Sequence, residues 1–259
     1  MPTALIRKFS PEEQELERKK AELSALESEL AQRELDLATL QAELRAFELR
    51  YLRTVGMKYA ELDKLEAEIT ELLARKNPQD NSAQQRAEQA RAQAEETARA
   101  TGAAQADKTR DTFEPPEDLK KLYRDAAKKV HPDLAANDKE RERRTKVMAE
   151  INRAYQEGDA TRLRAILDEW EGGPEAIKGE GIAMELVRII RKISQVRERL
   201  EKIAAEIARL RESDLAKLKD KVEDAVHQTR DLLREMVEQI DEQLAIAFLR
   251  LQELKEHRR

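Results

Sequence analysis

The sequence predicts an all-α protein in which long coiled-coil helices flank a small helical hairpin. Three observations carry this. Of 259 residues, 40% are charged and only 3% aromatic, with seven Gly and seven Pro, a profile of long solvated helices rather than of a sandwich, barrel or α/β enzyme. Leucines recur seven apart at Leu16, Leu23, Leu30, Leu37 and Leu44, the period of a coiled-coil seam. A second stripe alternates three- and four-residue steps through Leu186, Ile189, Ile193, Val196, Leu200, Ile203, Ile207 and Leu210.

The first element opens at Ser10-Pro11-Glu12-Glu13. Ser can cap, Pro suits the first helical position, and acids there favour the positive end of the helix dipole. Leu26, Leu40 and Phe47 fill the offset seam row, interrupted by Arg33, and the stripe continues through Tyr51, Val55, Tyr59, Leu62, Leu65, Ile69 and Leu72. A helix over 11–75 is roughly 95 Å long at 1.5 Å per residue. Gly56 is its one weak point, and Asn77-Pro78 stops it, closing an N-terminal coiled-coil segment, 1–76.

Segment 77–111 follows, and from 79 to 110 it holds no Leu, Ile, Val or aromatic residue. With nothing large to bury, it is expected to be a mobile or solvated helical linker ending near Thr101-Gly102. Residues 112–171, with Phe113, Tyr123, Tyr155 and Trp170, form the one stretch of globular texture. Gly172-Gly173-Pro174 and Gly179–Gly181 make 172–181 a second linker.

The last segment, 182–259, is a C-terminal coiled coil. Its stripe slips by one position at Leu215, then resumes through Leu218, Val222, Val226, Leu232, Met236, Ile240, Leu244, Phe248 and Leu251. The slip at Arg211–Asp214 is a skip within one rod or a corner between two helices; the lack of Gly and Pro there favours the skip. Both seams need cover. The rods can pair within one chain, or each can zip to its copy in a homodimer. Their matched lengths and the tether favour an intramolecular antiparallel coiled coil, with dimerisation available on top of it.

Composition also excludes function classes. Without Cys there is no disulfide, thiolate nucleophile or Cys-ligated metal. The widely spaced His131, His227 and His257 make no metal site, so neither metal nor cofactor is expected. No apolar run is long enough for a membrane span, and the N-terminal residues do not form a secretory signal. A net charge of −5 gives no general attraction to nucleic acid or anionic lipid. No phosphate-binding glycine loop or nucleophile–base arrangement appears, so the expectation is a cytoplasmic non-enzyme.

The residues that carry chemistry lie in 112–171. Leu119, Leu122, Tyr123, Ala126, Ala127 and Val130 share one helical face, and the same helix carries Lys120, Lys121, Arg124, Lys128 and Lys129. Pro132 pushes His131 out of the helical region, so the helix ends at His131-Pro132-Asp133 and displays it on a turn. Asn137-Asp-Lys-Glu140 opens a second helix as a capping box, with Val147, Met148, Ile151, Ala154 and Tyr155 as its apolar face. Two such helices make an antiparallel hairpin.

This stretch resembles the J-domain (DnaJ-like) family. The shared pattern is Leu-Tyr-Arg-x-x-Ala-x-x-x-His-Pro-Asp, followed by Glu150-Ile151-Asn152-Arg153-Ala154-Tyr155, over roughly 117–156. The family's aromatic-rich first helix is not recognisable; Asp111-Thr-Phe-Glu-Pro-Pro116 stands in its place, with Phe113 or Trp170 as candidates to fill the gap. The resemblance implies a co-chaperone that binds a DnaK-class ATPase chaperone and stimulates its ATP hydrolysis. It implies that His131, Pro132 and Asp133 form the partner-binding loop, with Lys120, Lys121, Arg124, Lys128 and Lys129 facing an acidic patch of the ATPase. The coiled coils would then select an unidentified client, scaffold or location. The competing expectation is a structural coiled-coil scaffold with a vestigial or repurposed J-like module, whose cations are only the wet face of an amphipathic helix.

Overall fold

A computed structural model describes residues 10–107, 112–135, 137–171 and 182–256, and all regular structure among them is helical. The second linker and His257 lie outside the described residues. The leucine repeat forms α1, Pro11–Tyr51, followed by a π-helical turn over Leu52–Gly56 and by α2, Met57–Lys76. Ser10 and Glu13 cap α1 reciprocally: the Glu13 amide donates to Ser10 Oγ at 3.2 Å and the Ser10 amide to Glu13 Oε2 at 2.8 Å. Then come α3, Asn81–Ala106; α4, Glu117–Val130; a short 3-10 turn, Pro132–Leu134; α5, Asp138–Gln156; and α6, Ala160–Glu171. The chain ends with α7, Ile182–Arg211; α8, Asp214–His227; and α9, Leu232–Glu256.

These helices form two units, each drawn from separated stretches: Met1–Ala42 with Phe113–Glu212, and Glu43–Thr112 with Ser213–Arg259. The first has two cores. Along one side of α1, Leu16, Leu23, Leu30 and Leu37 pack with Ile189, Ile193, Val196 and Ile203 of α7. One helical step round, Ala31, Leu35 and Ala38 pack into the hairpin core of Leu119, Tyr123, Ala126, Val130, Ile151 and Tyr155, which Leu163 and Leu167 of α6 complete. The hairpin of α4 and α5 is thus braced by a stretch of α1 about ninety residues earlier in the chain together with α6 after it. Phe113 packs edge-on to Tyr155 at 5.4 Å.

In the second unit, Phe47, Val55, Leu62 and Ile69 pack with Val222, Leu233, Ile240 and Leu251. The expected linker is α3, and it is packed rather than free. It runs back along α2, with Thr97 Oγ1 donating to Asp63 Oδ2 at 2.6 Å and Ala83, Thr101 and Ala104 buried. Small residues suffice because α3 lies close to its neighbour: a Cβ on Gly56 would meet Thr101 Cγ2 at 3.3 Å and Leu52 Cδ2 at 3.2 Å. Arg53, on the π-helical turn, caps the far end by donating Nε–H to the Ala104 carbonyl at 2.9 Å, a cation at the negative end of a helix. Opposite signs are therefore expected for two glycine replacements in thermal melts. Gly56→Ala should lose about 1–2 kcal/mol to overpacking. Gly102→Ala, with open space around it, should gain about 0.5–1 kcal/mol.

Two expectations about the rods are corrected. The pairing is intramolecular but parallel. Lys20 meets Glu185 at 3.1 Å and Gln41 meets Glu206 at 3.1 Å, so α7 runs with α1. Lys58 meets Asp241 at 2.9 Å and Lys255 meets Glu68 at 2.7 Å, so α9 runs with α2. The slip at 211–214 is a helix break. Ser213 is extended, and its hydroxyl accepts the Ala216 amide at 3.2 Å as the cap of α8; a serine does there what Gly or Pro was expected to do. A further break parts α8 from α9, with Thr229 at φ 61° and Asp231 Oδ1 accepting the Arg234 amide at 3.1 Å.

Candidate partner-binding site

Helices α4 and α5 pack antiparallel as a hairpin, with His131-Pro132-Asp133 between them. The Tyr123 hydroxyl donates to Asn152 Oδ1 across it at 2.7 Å, and the Tyr155 hydroxyl lies 2.8 Å from Thr39 Oγ1 of α1. Asn137 caps α5 by accepting the Glu140 amide at 2.9 Å. The Glu140 carboxylate takes Arg144 at 2.7 Å, and Arg144 donates onward to the Lys129 carbonyl at 3.0 Å. Trp170 stacks on this staple from α6, 4.6 Å from the Arg143 guanidinium and 5.3 Å from that of Arg144.

The cations of α4 separate into two groups. Lys121, Lys128 and Lys129 are exposed, whereas Lys120 and Arg124 are half-buried. Glu117 receives Arg124 at 2.9 Å and Lys120 at 4.0 Å. Pro132 and Asp133 are half-buried, and the Asp133 side chain is 26% exposed.

His131 is not displayed. It is 2% exposed, and its Nε2 lies 2.9 Å from Glu34 Oε1 of α1. Its Nδ1 accepts the Asp133 amide at 3.1 Å, which places the ring proton on Nε2, donating to Glu34. The same Glu34 oxygen accepts Arg199 Nε–H of α7 at 2.7 Å. Burial pushes the Glu34 carboxyl up, but the bonds from His131 and Arg199 outweigh it and hold it below the ordinary carboxylate value. Burial likewise works against the Arg199 charge, and Glu34 more than offsets it. Leu134, next to the turn, inserts into the leucine seam of α1 and α7. A cleft of about 460 Å³ opens beside the turn, lined by Asp133, Arg141, Gln195, Glu198, Arg199 and Lys202 among others.

The heptad pattern hid Glu34, because an acid in a 40% charged chain reads as solvent-facing. A signal was present: Ala31, Leu35, Ala38 and Ala42 form a second apolar stripe one step from the leucines, and Glu34 lies between the two. Arg199, one residue from Leu200 of the seam, carried no such mark. Among the described residues no group of three or more His, Asp or Glu could hold a metal ion, and no helix is long and apolar enough to cross a membrane. Comparison with protein-family models, curated proteins and solved structures finds no match to this chain.

Proposed function

We propose that the chain is a J-domain-like co-chaperone of a DnaK-class ATPase, acting in the cytoplasm by regulating that partner rather than by catalysis of its own. One observation carries the proposal: a braced hairpin holds Asp133 beside an open cleft, with Lys121, Lys128 and Lys129 exposed on the adjoining helix. A carboxylate so placed can take a bidentate bond from a partner arginine, and the cations steer an acidic partner toward it. The coiled coils select the client, scaffold or location. Steady-state ATP hydrolysis by the host's DnaK-class protein, with and without the full chain, tests this; only background stimulation at saturating chain, by the wild type and by variants that expose the turn, sinks it.

The scaffold reading has one specific observation in its favour, the burial of His131 against Glu34. On that reading the turn is a structural staple between helices. The charge of α4 separates the two. Reversing Lys128 and Lys129 to Glu should slow association with the ATPase about tenfold, and the wild-type rate should fall as salt is added. A wild-type rate indifferent to salt would leave those lysines as a wet helical face.

A further inference from the structure

One of the groups that the co-chaperone reading assigns to the partner, His131, is already engaged by the chain's own helices. His131 donates to Glu34 at 2.9 Å, and Leu134, next to the turn, inserts into the α1–α7 seam. Arg199, bonded to Glu34 at 2.7 Å, and Asp133 line the same cleft. The arrangement is built rather than incidental. An acid in mid-helix between two apolar cores is costly unless paired and hydrogen-bonded, and Glu34, 4% exposed, gains both through His131 and Arg199. No buried side-chain polar atom among the described residues is left without a hydrogen-bond partner.

We propose that α1 and α7 clamp the His131-Pro132-Asp133 turn in a self-inhibited state through Glu34 and Arg199, and that full engagement of the ATPase requires the clamp to open. This rests on the co-chaperone reading and adds regulation of the same site. Of the two clamp residues, Arg199 is the one to remove: its side chain is 31% exposed, against 6% for Glu34, so its loss leaves the leucine seams intact. It also leaves the Glu34–His131 bond without its cation.

The test uses the full chain, with two readouts. In ATPase assays at sub-saturating chain, Arg199→Ala should stimulate about fivefold or more above wild type, the lower end of coupling between linked sites. Arg199→Lys, which keeps the cation but not the guanidinium fork, should fall between them. Adding Asp133→Asn to Arg199→Ala should return stimulation to background. In parallel, diethyl pyrocarbonate modification, read by peptide mass, should accelerate at His131 in Arg199→Ala and stay constant at His227 and His257. Equal stimulation by wild type and both Arg199 variants overturns the clamp and leaves the co-chaperone reading standing. A gain in stimulation without a gain in His131 reactivity also overturns it. No stimulation by any of them, with His131 more reactive, overturns the co-chaperone reading and the clamp with it.

Discussion

Asp133→Asn is expected to reduce ATPase stimulation to background at concentrations where wild type is half-effective, with helical content and melting temperature unchanged. The fold makes this a clean substitution. Asn has the same shape, and the bond that shapes the turn runs from the Asp133 backbone amide to His131 Nδ1 at 3.1 Å, so the side chain can change without unlocking the loop. Leu134 still anchors the turn in the seam of α1 and α7. What disappears is a carboxylate at the edge of the cleft. Hydrogen bonds to charged groups contribute about 1.5–3 kcal/mol, so losing a bidentate one weakens engagement roughly 10- to 100-fold. Stimulation by Asp133→Asn equal to that of wild type would remove this residue from the partner-binding surface and with it the functional weight of the turn.

The local signals were legible because each is carried by neighbours in sequence. Ser10-Pro11-Glu12-Glu13 opens α1, Asn77-Pro78 ends α2, and Asn137 caps α5. The alternating three- and four-residue steps of α7 show directly as buried Ile189, Ile193, Val196 and Ile203. Periodicity identifies the buried side of a helix but not its partner or direction, and that is where expectation and structure part. The return through α3 was hidden because its buried positions are Ala83, Thr101 and Ala104, residues too small to stand out as a core. Their smallness is what permits the close approach at Gly56. The break at Arg211–Asp214 shows in the sequence as a slip whose start signal is Ser213, the cap of α8; the break between Val226 and Leu232 coincides with a six-residue step in a three-four pattern.

The site was half legible. Its turn and its cations follow from short motifs, but Glu34 and Arg199 lie 97 and 165 residues away from the groups they meet. No local pattern announces a long-range polar contact. The same holds for the bracing of the hairpin, which Ala31, Leu35 and Ala38 supply from α1, far away in sequence. A helix of a coiled coil thus serves two cores, and its second apolar stripe has a packing role that the heptad alone does not explain.

That dual role makes Tyr155 the residue whose loss should cost most. Its side chain is fully buried, its ring lies 4.7 Å from Tyr123 and 5.4 Å from Phe113, and its hydroxyl is 2.8 Å from Thr39 Oγ1. It therefore ties α5 to α4, to the segment before α4 and to α1 at once. Tyr155→Ala empties a ring-sized space and leaves Thr39 without this partner, so a loss of about 3–5 kcal/mol is expected. Against total stabilities of about 5–15 kcal/mol for domains in general, this should melt the hairpin near physiological temperature. Tyr155→Phe keeps the ring and forfeits only the hydroxyl contact, for a loss of about 1 kcal/mol. Hydrogen exchange should then show protection falling first in α4, α5 and α6 for Tyr155→Ala, with near-normal protection for Tyr155→Phe. Equal losses for the two variants would mean that the Thr39 contact, rather than the aromatic cluster, braces the hairpin. Full protection of α4 and α5 in Tyr155→Ala would mean that the hairpin stands without bracing from α1.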